Sequence, residues 1–269
     1  MLFVIMVIGL TIFLSALLVF VLLELVYARI FKRPLLVYTH LVVLELQASQ
    51  HQFLSSRFSF YRKLSSRKQK LFGHRVLKYI QDKQFIARGE VVITENLKLW
   101  IAATAVMLTF GMRRYLMPSV KRFIIYPEQY ESILNRAEHI GEYNPALKTI
   151  VFSWKDFLKG YEIEDDNLNL AIHEFAHALS YESLKIKDSS TVIFSDGLHR
   201  IDRLLQDPHF MHRLHKTDYF RDYAKVNKFE FFAVSLEHFI ETPEVFRKEF
   251  PGLYAILHQM LNYQFGEES

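Results

Sequence analysis

The chain contains no cysteine. Disulfide bonds and thiolate ligands are therefore excluded, and any bound metal must be held by His, Asp or Glu side chains. The absence of cysteine also suits a reducing compartment. Glycine is scarce, with nine residues among 269, and the sequence shows neither a glycine-rich phosphate-binding loop nor an internal repeat.

Neither sign of charge is in large excess. The 33 basic and 29 acidic residues give a formal net charge of +4 and a pI near 9.0. No aromatic-and-basic recognition motif accompanies this mild excess, so nucleic acid is not an expected partner. Hydrophobic residues make up 51% of the chain, which is enough for one sizeable domain, or for two small domains with an appendage.

The chain begins with a long apolar run. Residues Met1 to Leu23 carry no charged side chain, and a helix of that length can cross a bilayer core of about 30 Å. The nearest basic residues come after the run, at Arg29, Lys32 and Arg33. A cleavable signal peptide has the reverse order, and the positive-inside rule places this side of the helix in the cytoplasm. We therefore expect a single-pass anchor at 1–28, a juxtamembrane segment at 29–50 and a cytoplasmic catalytic domain.

The centre of the sequence carries the motif His173-Glu174-Phe175-Ala176-His177. Residues four apart lie on the same face of a helix, so both histidines can bind one metal ion with Glu174 beside it. Apolar residues at helical spacing support a helix here: Leu168, Ile172, Phe175 and Leu179. The segment 165–167, Asp-Asp-Asn, offers candidate N-caps. The alternative is a pair of structural histidines, although a chance match is expected in only about a few percent of chains of this length.

Other segments predict the elements around this helix. The region 51–135 is expected to be mainly helical, and 136–265 to form the catalytic part. The apolar run Leu97–Gly111 is too short to span a membrane, so it predicts a buried helix capped by Thr94 or Asn96. Residues 123–126 and 149–154 have the β-branched and aromatic content of strands. The second of these is the candidate edge strand along which a peptide substrate would lie.

A catalytic zinc site needs a third protein ligand. The segment 222–239 supplies two candidates, because its apolar residues at helical spacing leave Glu230 and Glu237 together on another face. Asn227 gives Glu230 a competing role as the partner in a capping box. Spacing alone therefore leaves both glutamates open as the third ligand. The six histidines that follow His177 are expected to be surface or core residues: His199, His209, His212, His215, His238 and His258.

At this point the chain resembles the Mlc titration factor A family of zinc peptidases, whose catalytic core is similar to that of anthrax lethal factor. The resemblance runs from about His51 to Tyr263. It is carried by four segments: Phe123-Ile-Ile-Tyr-Pro127, Val151-Phe-Ser-Trp154, His173-Glu-Phe-Ala-His177 and Asn227-Lys-Phe-Glu-Phe-Phe-Ala-Val234.

The resemblance implies a role for each matched residue. His173, His177 and Glu230 would bind zinc, Glu174 would be the general base, and Tyr223 would assist the transition state. One departure is visible, because family members commonly carry Asp soon after the second histidine, where this chain has Ser180. If that Asp orients a ligand, another residue must do so here.

Taken together, the sequence predicts an α+β, predominantly helical, zincin-like metallopeptidase domain with a small β-sheet, preceded by an N-terminal transmembrane helix. The expected function is zinc-dependent hydrolysis of peptides or proteins, in which Glu174 acts on a zinc-bound water. The alternative is a regulator that keeps zinc without catalysis and binds a protein partner. The resemblance permits this, because the namesake of the family is linked to sequestering a transcriptional repressor.

Overall fold

The computed structural model describes residues 1–38, 42–132, 136–163, 165–185, 188–217 and 219–263, except for the side chain of Tyr223. The described chain is predominantly helical with a small sheet, as the sequence predicts. The helices are α1 (Leu2–Phe31), α2 (Ala48–Arg57), α3 (Ser59–Arg62), α4 (Ser66–Asp82), α5 (Glu95–Thr109), α6 (Trp154–Glu162), α7 (Leu170–Lys185), α8 (Ser189–Gln206), α9 (Pro208–Lys216), α10 (Lys228–Glu241), α11 (Pro243–Glu249) and α12 (Pro251–Met260), with a 3-10 helix at Asp222–Lys225. The strands are β1 (Gln84–Ala87), β2 (Arg122–Tyr126), β3 (Tyr130–Glu131), β4 (Glu138–His139), β5 (Gly141–Asn144) and β6 (Thr149–Ser153).

Helix α1 is 30 residues long, and every side chain as far as Leu23 is exposed. Among the described residues it is the one helix long and apolar enough to cross a membrane. Beyond Leu23 the helix packs on α8, and buried Glu24 accepts hydrogen bonds from Arg113 at 2.6 Å and Ser189 at 3.1 Å. The helix ends at Phe31, ahead of Pro34, which cannot continue it. The apolar run therefore continues into a helical end that belongs to the folded domain.

The second apolar run forms α5, which is buried along nearly its whole length. Thr94 caps it, because its hydroxyl accepts the Leu97 N–H at 3.1 Å. The prediction of a buried helix is confirmed.

Four strands form the main sheet in the order β1-β2-β6-β5. Strands β1, β2 and β6 are parallel, whereas β5 is antiparallel to β6. The prediction that 149–154 is the edge strand is wrong, because β6 pairs on both sides and Trp154 already begins α6. The edge strands are β1 and, next to β6, β5, whose sequence Gly-Glu-Tyr-Asn lacks the apolar content that marked β6.

One apolar cluster joins the sheet to the helices. Phe123 of β2 and Phe152 of β6 stack with their ring centroids 6.2 Å apart, and both contact Phe175 of α7. The strands thus take residues from both 51–135 and 136–265 and hold the motif helix on one sheet face.

Helix α7 begins later than the sequence predicts. Asn169 is its cap, since the Asn169 side-chain oxygen accepts the Ile172 N–H at 3.1 Å. Leu168 is therefore outside the helix and 52% exposed, whereas Ile172, Phe175 and Leu179 are buried as expected.

Candidate metal centre

Three side chains converge at the contact between α7 and α10. The Glu230 carboxylate lies 3.0 Å from the Nε2 atom of His173 and 3.4 Å from that of His177. The two Nε2 atoms are 3.1 Å apart. Two helices distant in sequence thus bring two imidazole nitrogens and a carboxylate oxygen within 4.8 Å of one another.

The donor set fits a zinc ion. Donors bound to one tetrahedral zinc at about 2.0–2.1 Å lie about 3.3 Å from one another, close to the separations in this cluster. Two imidazoles and one carboxylate are among the ligand sets of catalytic zinc sites. His173, His177 and Glu230 are therefore a group that could hold the metal.

The start of α10 explains how Glu230 reaches this position. The Asn227 side chain caps the helix by accepting the N–H groups of Phe229 and Glu230 at 2.8 and 3.1 Å. The backbone of Glu230 is thus fixed in the first turn, and its carboxylate turns towards the histidines of α7. Asn227 is a cap, as its spacing suggested, but the Glu230 carboxylate contacts the two imidazoles.

Glu237 lies on the other side of His173. Its carboxylate is 2.8 Å from the Nδ1 atom of His173, so it faces the nitrogen opposite the cluster. Arg221 binds both carboxylate oxygens of Glu237, at 2.7 and 3.2 Å, and the Asn169 N–H donates to one of them at 2.9 Å. The geometry thus separates the two glutamates that spacing left open. Glu237 lies where it can orient the His173 ring. It could therefore fill the orienting role of the family's Asp, which this chain replaces with Ser180.

The charges in the cluster support one another. Burial alone lowers the pKa of His173, but its hydrogen bonds to Glu230 and Glu237 outweigh burial and raise the pKa to about 9. Burial alone raises the pKa of Glu230, but hydrogen bonds to His173 and His177 lower it to about 2. The site thus pairs the anionic carboxylate of Glu230 with the His173 imidazole, whose pKa is raised. Metal binding would release protons, because histidine binds a metal only when its donor nitrogen is deprotonated.

Glu174 has a different environment from the ligands. It is 6% exposed, and burial raises its pKa, although the neighbouring charges of His173 and His177 act in the opposite direction. Strand β5 passes directly over it. A Cβ atom at Gly141 would lie 3.0 Å from the Glu174 carboxylate and 2.5 Å from the Leu170 side chain, so a larger residue would force these side chains to shift.

Two cavities flank His173 and Glu174. One has a volume of about 540 Å³ and is bordered by His139, Gly141 and Leu168, among others. The other, of about 430 Å³, reaches the remaining ligands and is bordered by Tyr181 and Phe229. Gly141 borders both cavities, so β5 runs along a cleft that passes the cluster.

The remaining predicted residues are placed as follows. Tyr223 belongs to the 3-10 helix before α10, but its side chain lies outside the described part, so its role stays a prediction. His238 is buried against the rings of Tyr219 and Phe220, and burial lowers its pKa to about 4. It is therefore a neutral core histidine, as expected.

Sequence reasoning missed three residues that shape the site: Gly141, Arg221 and Asn169. A glycine in a polar tetrapeptide gave no strand signal, and an arginine seven residues before the start of α10 gave no sign of its partner. Asn169 could have been found as an N-cap candidate one turn before His173.

A His-Glu-x-x-His helix, a carboxylate from a second helix and an antiparallel edge strand beside them are the arrangement of zincin-type metallopeptidases. The chain belongs to the glucose-regulated metallo-peptidase M90 family, whose model matches residues 39–262. This is the Mlc titration factor A family that the motifs indicated, so that resemblance is confirmed. The chain is also similar to an uncharacterized protein of Synechocystis sp., slr2042, with 22% identity over 221 residues, which cover 77% of this chain and 80% of that protein.

Proposed function

We propose that this member of the metallopeptidase family is a membrane-anchored, zinc-dependent peptidase whose catalytic domain lies in the cytoplasm. The observation that carries the proposal is the convergence of His173, His177 and Glu230 beside buried Glu174 in an open cleft. The apolar helix α1 and the basic residues that follow its apolar run support the anchor and its orientation.

Each residue has a proposed role. Zinc, when bound to His173, His177 and Glu230, would lower the pKa of a water and polarise a carbonyl group. Glu174 takes a proton from the attacking water and passes it to the leaving amine nitrogen. Its raised pKa suits this exchange, because burial weakens the preference for the ionised form. Tyr223 donates a hydrogen bond from its hydroxyl group to the developing oxyanion.

The substrate is an extended peptide that lies along β5. This strand is last in the order of the main sheet, and among the described strands only β6 pairs with it. A peptide can add to the outer edge through main-chain hydrogen bonds, with its side chains in the two cavities. The close approach at Gly141 would bring the peptide backbone next to Glu174.

The decisive test is Glu174→Gln in the full chain. We expect zinc content equal to that of the wild type and peptide hydrolysis reduced by at least about 100-fold, because the amide cannot accept the proton. Metal analysis and cleavage of a broad peptide mixture, in the same preparations, measure both. Hydrolysis at the wild-type rate in this variant would remove Glu174 from the reaction.

The same measurement addresses the rival function. A regulator that only binds a protein partner has no need of Glu174 beside the donor set, and it is favoured by a fourth protein ligand that closes the site. The described cluster contains three candidate ligands, which supports the enzyme. Zinc-loaded wild-type protein that cleaves no peptide in the mixture would favour the regulator.

A further inference from the structure

A cavity of about 760 Å³ lies where α1 meets the domain. It is formed between the end of α1 and the helices α11 and α12. Three of its side chains are cationic, namely Lys32, Arg33 and Arg247, and none of the described residues that border it is Asp or Glu. The aromatic ring of Tyr254 borders the same space.

The cationic groups are positioned by neighbouring side chains. The Arg33 guanidinium lies 5.9 Å from the ring centroid of Tyr27, and its Nε atom donates to the Tyr27 hydroxyl at 2.9 Å. The Arg247 guanidinium lies 5.9 Å from the ring centroid of Tyr254. Lys32 has an acidic neighbour outside the cavity lining, Asp196 at 3.0 Å. The two arginines are the main candidates for binding an anion, because planar guanidinium groups suit phosphate oxygens better than an ammonium group does.

The position of the cavity indicates where such an anion comes from. On the face of α1 that packs on the domain, Glu24 and Ala28 are buried. The opposite face remains apolar after the membrane-length run, because Val26 and Ile30 are 53% and 66% exposed. Phe31 ends the helix on the packed side, but it is itself 57% exposed. Exposed apolar side chains thus continue from the predicted membrane-spanning run as far as Phe31, which borders the cavity.

We propose that this cavity binds the phosphate group of an anionic membrane lipid, with Arg33 and Arg247 as its phosphate ligands. The acyl chains would continue along the exposed apolar face of α1. Basic pockets at the cytoplasmic end of membrane helices bind anionic lipid headgroups, because their cations lie at the level of the headgroups. The proposal rests on α1 spanning a membrane, which is part of the proposed function, but it requires no peptidase activity.

The test uses the full chain in neutral detergent micelles. Native mass spectrometry measures binding of dioctanoyl phosphatidylglycerol, dioctanoyl phosphatidylcholine and inorganic phosphate. We expect phosphatidylglycerol to bind in preference to phosphatidylcholine. The variant Arg33→Gln/Arg247→Gln should bind phosphatidylglycerol about thirty-fold more weakly, which is the loss expected for two cations near a membrane surface. The matched control Arg88→Gln/Lys216→Gln removes two exposed cations elsewhere and should stay within about twofold of the wild type.

The variant Arg33→Lys/Arg247→Lys shows whether a loss of lipid binding comes from the lost charges or from misfolding. It keeps both positive charges and should retain most of the binding. Equal loss in the control pair, or equal binding of phosphatidylcholine, would overturn the proposal. Displacement of the lipid by inorganic phosphate at the concentration of the lipid itself would assign the site to free phosphate and overturn the lipid assignment. No measurement here depends on hydrolysis, so failure of the peptidase proposal would leave these results interpretable.

Discussion

The two ring nitrogens of His173 face different carboxylates, and this divides the roles of Glu230 and Glu237. A carboxylate that accepts a hydrogen bond from the Nδ1–H group leaves the lone pair of Nε2 directed at the proposed metal position. Arg221 in turn binds both oxygens of Glu237 and fixes its orientation. One imidazole is thus oriented by a chain of two further side chains.

We predict that Glu237→Gln lowers zinc affinity by about 10- to 100-fold, because the amide is a weaker acceptor for the Nδ1 proton. Competition with a chromophoric chelator measures the affinity. Glu230→Ala should lose the metal to a much greater extent, and Glu244→Gln, which changes an exposed glutamate on α11, should leave it unchanged. Wild-type affinity in Glu237→Gln would contradict the orienting role.

At the scale of elements, the site depends on how closely β5 approaches α7. The added methyl of Gly141→Ala would meet both Leu170 and Glu174. We expect zinc binding to persist and kcat/KM to fall about tenfold or more, because either Glu174, the proposed general base, or β5, the proposed substrate edge, must move. Gly252→Ala is the matched control, since its new Cβ would meet nothing within 4 Å. Equal activity in both variants would show that the approach can relax without cost.

The end of α10 also meets the beginning of α7. The Glu241 carboxyl group accepts a hydrogen bond from the Asn169 side chain at 3.0 Å. Burial raises the pKa of Glu241 to about 8; the hydrogen bond from Asn169 opposes this rise, and the charges of Glu237 and Asp166 add to it. The helix contact therefore contains a carboxyl group that is largely protonated at neutral pH.

This raised pKa predicts a pH dependence of stability. Between about pH 4.5 and 8 the folded state binds the Glu241 proton more tightly than the unfolded state, so its contribution to stability falls as pH rises. Glu241→Gln removes this titration. We expect the variant to match the wild type near pH 4.5 and to have the higher melting temperature above pH 8. A difference that does not change with pH would contradict the assignment.

At the scale of the whole molecule, one buried arginine connects the segment after α1 to the core. Arg75 of α4 is fully buried and donates to the carbonyl of Val37 at 2.8 Å. It also donates to three carbonyls at and just beyond the end of α5: Thr109, Phe110 and Met112. Burial lowers its pKa, though only to about 10, so it stays charged at neutral pH.

We predict that Arg75→Met destabilises the full chain by about 3 kcal/mol or more, because several buried carbonyls lose their donor at once. Thermal or denaturant unfolding in detergent measures the loss. The matched control is Arg67→Met, which removes an exposed arginine from the same helix and should change stability by less than about 0.5 kcal/mol. Similar losses in the two variants would refute the structural role of Arg75.

Sequence patterns identified the elements that have a strong local signal. The apolar run of α1, the buried helix α5 and the strands β2 and β6 were predicted because composition and periodicity are local properties. The position of β6 within the sheet was predicted wrongly. Strand order depends on pairing between distant segments, and the partner β5 carries almost no apolar residue.

For the site, the motif determined by itself that two imidazoles and Glu174 share one helix, because residues four apart must lie on one face. It could not decide between Glu230 and Glu237, since both lie on the same face of α10. Only the packing of α10 on α7 places Glu230 at the Nε2 atoms and Glu237 at Nδ1 of His173. The sequence determines which side-chain groups are present. Helix packing decides which ring nitrogen of an imidazole a distant carboxylate contacts.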